Sequence, residues 1–178
     1  MSSEGRGDVR FKEIEHKFLV GDHFDPADFR TLIEGLGPQR TTEQSVRDVY
    51  YRTRHQPGHI YRHRYDQELQ HLTVKSLEAD SEVRLEVNLD LGQHRGDQEE
   101  VVEAFLETLD VVWRGVVEKE IEVYYFDDCE IVYYAARAGS RAVRCVELEA
   151  VGKSSLDEAL ATLEDYEGRI GFARRQRT

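Results

Sequence analysis

Phe11-Lys12-Glu13-Ile14-Glu15-His16-Lys17-Phe18-Leu19-Val20 alternates with a period of two. Glu13, Glu15 and Lys17 share one face, and Ile14, His16, Phe18 and Val20 share the other. That period belongs to a strand with one buried face. A solvated strand face accounts for a single Glu-x-Glu-x-Lys run. The remainder of the chain repeats the pattern with charges of the opposite sign.

Strand-like runs rich in β-branched and aromatic residues follow at about 42–54, 59–66, 69–76, 81–91, 113–126, 129–137 and 141–150. Turn residues such as Pro57-Gly58 and Ala138-Gly139 separate them. With the first run they make eight strands. Asp25-Pro26 caps a helix that ends near Gly35, and Asp97 to Leu109 carries an apolar stripe. Ser155-Leu156-Asp157-Glu158 is a capping box that opens a helix to about Tyr166. The expectation is an α+β fold, an eight-stranded and mainly antiparallel β-barrel with a few flanking helices.

A chain of 178 residues has room for one domain of ordinary size. Residues 10–170 are expected to form it, between a disordered N-terminus at 1–9 and a basic tail at 171–178 with Arg174, Arg175 and Arg177. No apolar run reaches the ~20 residues of a membrane span, and the N-terminus lacks the apolar segment of a signal peptide. A cytoplasmic location is therefore expected. Cys129 and Cys145 sit in apolar strand surroundings and read as buried thiols rather than a zinc site. The seven histidines are scattered without ligand spacing, which favours packing and surface roles.

Thirty-six acidic residues against 24 basic ones leave a net charge of −12, which argues against duplex nucleic acid and an anionic membrane as partners. It does not argue against a small basic pocket. Arg62 and Arg64 share a face, Lys75 ends Leu72-Thr73-Val74-Lys75, Arg84 shares a face with Glu86, and Glu147 shares one with Glu149. One charged face per strand, repeated around a sheet, points to a charged interior. Glu118, Glu120 and Glu122 lie opposite Lys119 and read as an exposed acidic face.

These residues resemble the CYTH superfamily, the triphosphate tunnel metalloenzymes, which include inorganic triphosphatases, thiamine triphosphatases and class IV adenylyl cyclases. Glu13-x-Glu15-x-Lys17 is similar to its N-terminal signature. The later elements follow in the family's order: Asp48-x-Tyr50-Tyr51, Arg62-x-Arg64, Thr73-x-Lys75, an Arg/Glu strand at 84–88, Val117-Glu118-Lys119, and Glu147-x-Glu149. The resemblance covers residues 10–170 and implies a tunnel that holds a triphosphate with Mg²⁺ or Mn²⁺ and hydrolyses it. A hard cation takes carboxylate oxygens, and a polyanion takes several Lys and Arg donors.

By position, the resemblance implies metal ligands at Glu13, Glu15, Glu147 and Glu149. Phosphate contacts would come from Lys17, Arg62, Arg64, Lys75, Arg84 and Lys119. Lys17 and either Glu86 or Glu149 would serve the chemistry, a carboxylate acting as base. Ile121 stands where the family commonly has arginine, and an acidic position of the next strand falls at Ala135. A class IV cyclase converting ATP to cyclic AMP, or a degenerate noncatalytic triphosphate or nucleotide binder, are the alternatives. A homodimer is compatible with exposed strand surface.

Overall fold

A computed structural model describes residues 12–65, 70–77, 83–92 and 98–172. The expectations for residues 1–9, for Arg174, Arg175 and Arg177, and for His94 lie outside the described residues. Eight strands are present: β1 (Lys12–Val20), β2 (Arg40–Thr53), β3 (His59–Tyr65), β4 (Gln70–Ser76), β5 (Val83–Gly92), β6 (Val111–Tyr125), β7 (Cys129–Ala138) and β8 (Arg141–Ala150). All neighbours pair antiparallel, in the closed order β1-β5-β4-β3-β2-β6-β7-β8.

β1 closes the ring by dividing its length. Lys12 to Ile14 pair with β5, and Glu15 to Val20 pair with β8. One strand thereby satisfies two edges that would otherwise present open hydrogen-bonding groups.

Helices α1 (Pro26–Gly35), α2 (Glu99–Glu107) and α3 (Leu156–Ile170) cover the outside. Asp25 caps α1 by accepting from the backbone N–H groups of Ala27 and Asp28 at 2.8 and 3.3 Å. Ser155 accepts from the Glu158 N–H at 3.2 Å, while Glu158 reaches back to the Ser154 N–H at 3.2 Å, one residue earlier than the simplest capping box. α3 continues four residues past the expected end at Tyr166. It stops at Gly171, whose φ of 77° suits a residue without a side chain. Phe172, just beyond, still packs against Phe18. No helix of the described residues is long and apolar enough to cross a membrane.

The alternation sorts the core into an outside and an inside. Phe18 of β1, Ile131 of β7, and Val146 and Leu148 of β8 face outward beneath Phe29 and Ile33 of α1 and Leu163 and Tyr166 of α3. Val49, Tyr51, Tyr61 and Leu72 do the same beneath Val102 and Leu106 of α2. Burying each such side chain contributes about 1.5–3 kcal/mol, so the barrel wall is held from outside. The opposite faces are left to line the interior. There, Val46, Ile121, Val123, Tyr134, Ala136 and Cys145 form a third, apolar cluster along one wall. Both cysteines are buried and free, as expected.

Candidate functional site: a charged barrel interior

Cross-strand register places the remaining charges on that inner face. Asp48 of β2 lies opposite Arg64 of β3, Tyr50 opposite Arg62, Arg62 opposite Thr73 of β4, and Lys75 opposite Glu86 of β5. On the other side of the ring Lys17 lies opposite Glu147, Glu15 opposite Glu149, and Glu149 opposite Glu130. Directly opposed residues of antiparallel strands project from the same face.

The cations gather around buried carboxylates. Asp48 is fully buried. It accepts two hydrogen bonds from Arg64, at 2.7 and 2.8 Å, and meets the Lys119 Nζ at 3.0 Å. Lys119 also donates to the Tyr50 hydroxyl at 3.2 Å, and that hydroxyl donates to Asp48 at 3.1 Å. Glu86, nearly buried, pairs with Lys75 and with Arg62 at 3.3 Å. Lys17 pairs with Glu147, which also accepts from the Tyr134 hydroxyl at 2.9 Å.

Charge balance differs along the interior. Burial would raise the Asp48 carboxyl, but the Arg64 hydrogen bonds and the charges of Lys119, Arg64 and Arg62 hold it well below the usual carboxylate range. Lys119 is shifted the other way: burial depresses its pKa, Asp48 opposes this, and Arg64 and Arg62 add to the depression. Burial is the largest part of that depression, and the two guanidinium charges beside Lys119 supply the rest. The Arg62 Nε is moreover buried without a hydrogen-bond partner. Lys17 behaves as a well-matched ion: burial lowers it, Glu147 more than offsets that, and its pKa stands above the ordinary value.

The excess is negative at Glu15, Glu130 and Glu149. Burial and then the charges of Glu130, Glu15 and Glu86 push Glu149 up to about 7, with Lys75 opposing. Burial raises Glu130 as well, against the charge of Arg40. Carboxylates that repel one another in a partly dry site suit a hard cation, which takes oxygen ligands and relieves the repulsion. Among the described residues no three His, Cys, Asp or Glu side chains already converge into a ready-made metal site. Glu13 and Arg84 oppose one another at the β1–β5 seam, and their side chains lie outside the described residues.

The inner face thus brings together Glu15, Lys17, Arg62, Arg64, Lys75, Glu86, Lys119, Glu147 and Glu149 from the sequence-based set. It adds Asp48, Glu130, Tyr50 and Tyr134. Alternation within β2 and β7 was the available signal for these four, since each sits an even number of residues from another inward position. Ala135 requires a correction. It opposes Glu120 and Arg144, on the outer face, so the interior positions of β7 are Tyr134 and Ala136. Ile121 does face inward, within the apolar cluster.

The acidic face of β6 is external, as expected: Glu120 accepts from Ser45, and Glu122 takes two hydrogen bonds from Arg30 of α1, at 2.6 and 3.2 Å. A concavity of about 1130 Å³ is lined both by inward residues, Val46, Lys119 and Ala136, and by Arg47, Glu120 and Arg144 of the outer wall. Its mixed charges are mostly paired, and through Lys119 it borders the interior cluster. His16 and His63 are buried packing residues; the His16 Nδ1 lies 2.6 Å from Glu167 of α3.

No family model and no curated protein matches the chain. Solved structures do. A Pyrococcus horikoshii protein is 22% identical with a TM-score of 0.72, over 93% of this chain and 94% of its own. A candidate adenylate cyclase from Vibrio parahaemolyticus is 15% identical with a TM-score of 0.63, over 95% and 93%. A candidate adenylyl cyclase from Hippeastrum, described as having a dominant triphosphatase activity, is 14% identical with a TM-score of 0.56, over 90% and 88%. At these identities the likeness establishes that this chain shares their fold.

Proposed function

We propose that the barrel interior binds a triphosphate group together with Mg²⁺ or Mn²⁺ and hydrolyses it. The observation that carries this reading is the set of four cations, Arg62, Arg64, Lys75 and Lys119, gathered about two buried carboxylates, Asp48 and Glu86. A polyanion is the ligand that such an excess recruits. Likeness in fold to a protein described as a triphosphatase supports it.

Arg62 and Arg64 would take the phosphate oxygens through planar donor pairs, and Lys75 and Lys119 as point charges. Glu13, Glu15, Glu147 and Glu149 would hold the cation, with Glu130 beside them. When bound, the cation neutralises phosphate charge and polarises the phosphoryl group. Lys17, kept protonated by Glu147, can neutralise a bridging or leaving oxygen.

Of the two carboxylates expected to act as base, Glu86 is fixed by Arg62 and Lys75 and serves better to position them. Glu149, raised to about 7 without a cation, is the better acceptor of a proton from the attacking water in the arrangement where Glu13, Glu15 and Glu147 hold the cation without it. Positioning plus electrostatic stabilisation then carries most of the catalysis, as is general for phosphoryl transfer.

The test is phosphate release from tripolyphosphate by purified protein with Mg²⁺ or Mn²⁺, beside an Arg62→Ala/Arg64→Ala variant. Metal-dependent release that the variant loses is the expected result. Cyclic AMP and pyrophosphate from ATP would make the protein a cyclase. Tight triphosphate binding without turnover would leave a binding module, which the apolar surroundings of Ile121 would then help explain.

A further inference from the structure

A second cavity, about 630 Å³, opens where the ends of β2, β3, β4 and β6 meet, lined by Arg52, Thr53, Arg54, Pro57, Ile60, Leu77, Val112 and Trp113. Its volume is that of a small-molecule site, and five of its eight side chains are apolar. Along β3 it lies next to the charged interior. Ile60 opposes Lys75, and Arg62 follows two residues along the same face of β3, about 7 Å away at the rise of a strand.

Trp113 is 48% exposed, yet it is held in place from behind. Gly115, two residues along β6, has no side chain, and the indole occupies that space. A Cβ there would lie 2.4 Å from the ring. Gly115 opposes Tyr50, which in turn opposes Arg62. The indole therefore lies along the wall that leads to the phosphate-binding cations, with its remaining surface open to the cavity.

We propose that this cavity is a subsite for the planar, uncharged heteroaromatic ring of an organic triphosphate, a nucleobase in particular, stacked on Trp113. The inference rests on the triphosphate reading of the interior and extends it to the substrate's organic end. A flat ring gains both stacking on the indole and burial against Ile60, Leu77 and Val112 there, whereas a phosphate group would gain neither. Arg52, which donates to the Pro57 carbonyl at 3.2 Å, lines it too and disfavours a cationic ring, while Arg54 is paired with Asp110 at 2.7 Å. Trp113 would thus determine specificity, separating an organic from an inorganic triphosphate.

Trp113 is the chain's sole tryptophan, so its intrinsic fluorescence reports on this cavity alone. Titration of the full chain with a nonhydrolysable ATP analogue should change the emission, and tripolyphosphate should leave it unmoved. By calorimetry, Trp113→Ala should lower the ratio of affinities, ATP analogue over tripolyphosphate, by roughly 5- to 100-fold, the range for losing one base-stacking partner. Trp113→Phe, which keeps a ring, should retain most of that ratio. An unchanged ratio in Trp113→Ala, or equal emission changes with both ligands, overturns the subsite. Failure of tripolyphosphate itself to bind the parent chain overturns instead the triphosphate reading on which it rests.

Discussion

Asp48→Asn separates the structural role of the buried carboxylate from the ligand-binding role of the cations around it. Asp48 is fully buried, takes two hydrogen bonds from Arg64 and contacts Lys119 at 3.0 Å. Removing one partner of a buried ion pair costs about 3–5 kcal/mol, because the remaining charge stays desolvated. For a domain of this size that lowers the melting temperature by roughly 10 °C. Asparagine keeps the shape, so the loss reports charge rather than packing.

The ligand response should move in the opposite direction. With Asp48 neutral, Arg64 and Lys119 present their charge to an incoming triphosphate without the carboxylate they share, while Arg62 keeps its pairing with Glu86. A tenfold gain in affinity would add about 1.4 kcal/mol to the stabilisation seen at saturating ligand. Thermal melts of parent and variant at neutral pH, with and without tripolyphosphate, measure both effects. Acidity supplies a further check. The folded-state pKa of Asp48 is depressed, so its stabilisation is fully present above the unfolded value of ~3.9 and is lost as pH falls below it. The gap between parent and variant should narrow below about pH 4. Equal stability at neutral pH, or a smaller ligand-induced shift in the variant, would refute the reasoning.

Three further outcomes follow from single sites. Glu149 titrates near 7 in the folded chain, above its unfolded value, so the metal-free protein binds that proton more tightly than the unfolded chain does. Stability should fall by up to about 3 kcal/mol as pH rises from about 4.5 to 7, and Glu149→Gln should flatten the slope in urea titrations. Mg²⁺ or Mn²⁺ at pH 8 should restore part of the loss in the parent. His16→Ala leaves Glu167 buried at the β1–α3 contact without its imidazole and should cost about 2–4 kcal/mol in denaturant unfolding. Ile121→Arg, which supplies the residue common in the resembling family, places a guanidinium among Val46, Val123, Tyr134 and Cys145. It should lower the melting temperature without raising triphosphatase activity, because Glu147, the acidic group beside Tyr134, is already paired with Lys17.

Alternation made the eight strands legible because a two-residue period survives in any sheet. Helix ends were less so. α3 outlasts its expected end because the packing of Tyr166 and Ile170 and the Gly171 cap, rather than local propensity, decide where it stops. Facing is the harder matter: Ala135 and Ala136 differ by one residue, and one residue exchanges the inside for the outside. A register set by pairing with β6 and β8 settles it, and pairing partners lie far apart in sequence.

The same limit explains why the sequence assigned Glu130 no role and Asp48 none beyond its place in a strand motif. Glu130 reads as an unremarkable acidic residue at a strand start until β8 brings Glu149 opposite it and β1 brings Glu15 opposite Glu149. Asp48 carries only one negative charge in a chain with a large acidic excess, yet it is the one that Arg64 and Lys119 surround. Net charge therefore says little about what this interior binds. Closure of the ring separates a positive group around Asp48 from a negative group around Glu149, and that separation is what a polyanion carrying its own cation requires. An open sheet with the same residues would let solvent screen both groups, so β1, divided between β5 and β8, is as necessary to the site as any side chain in it.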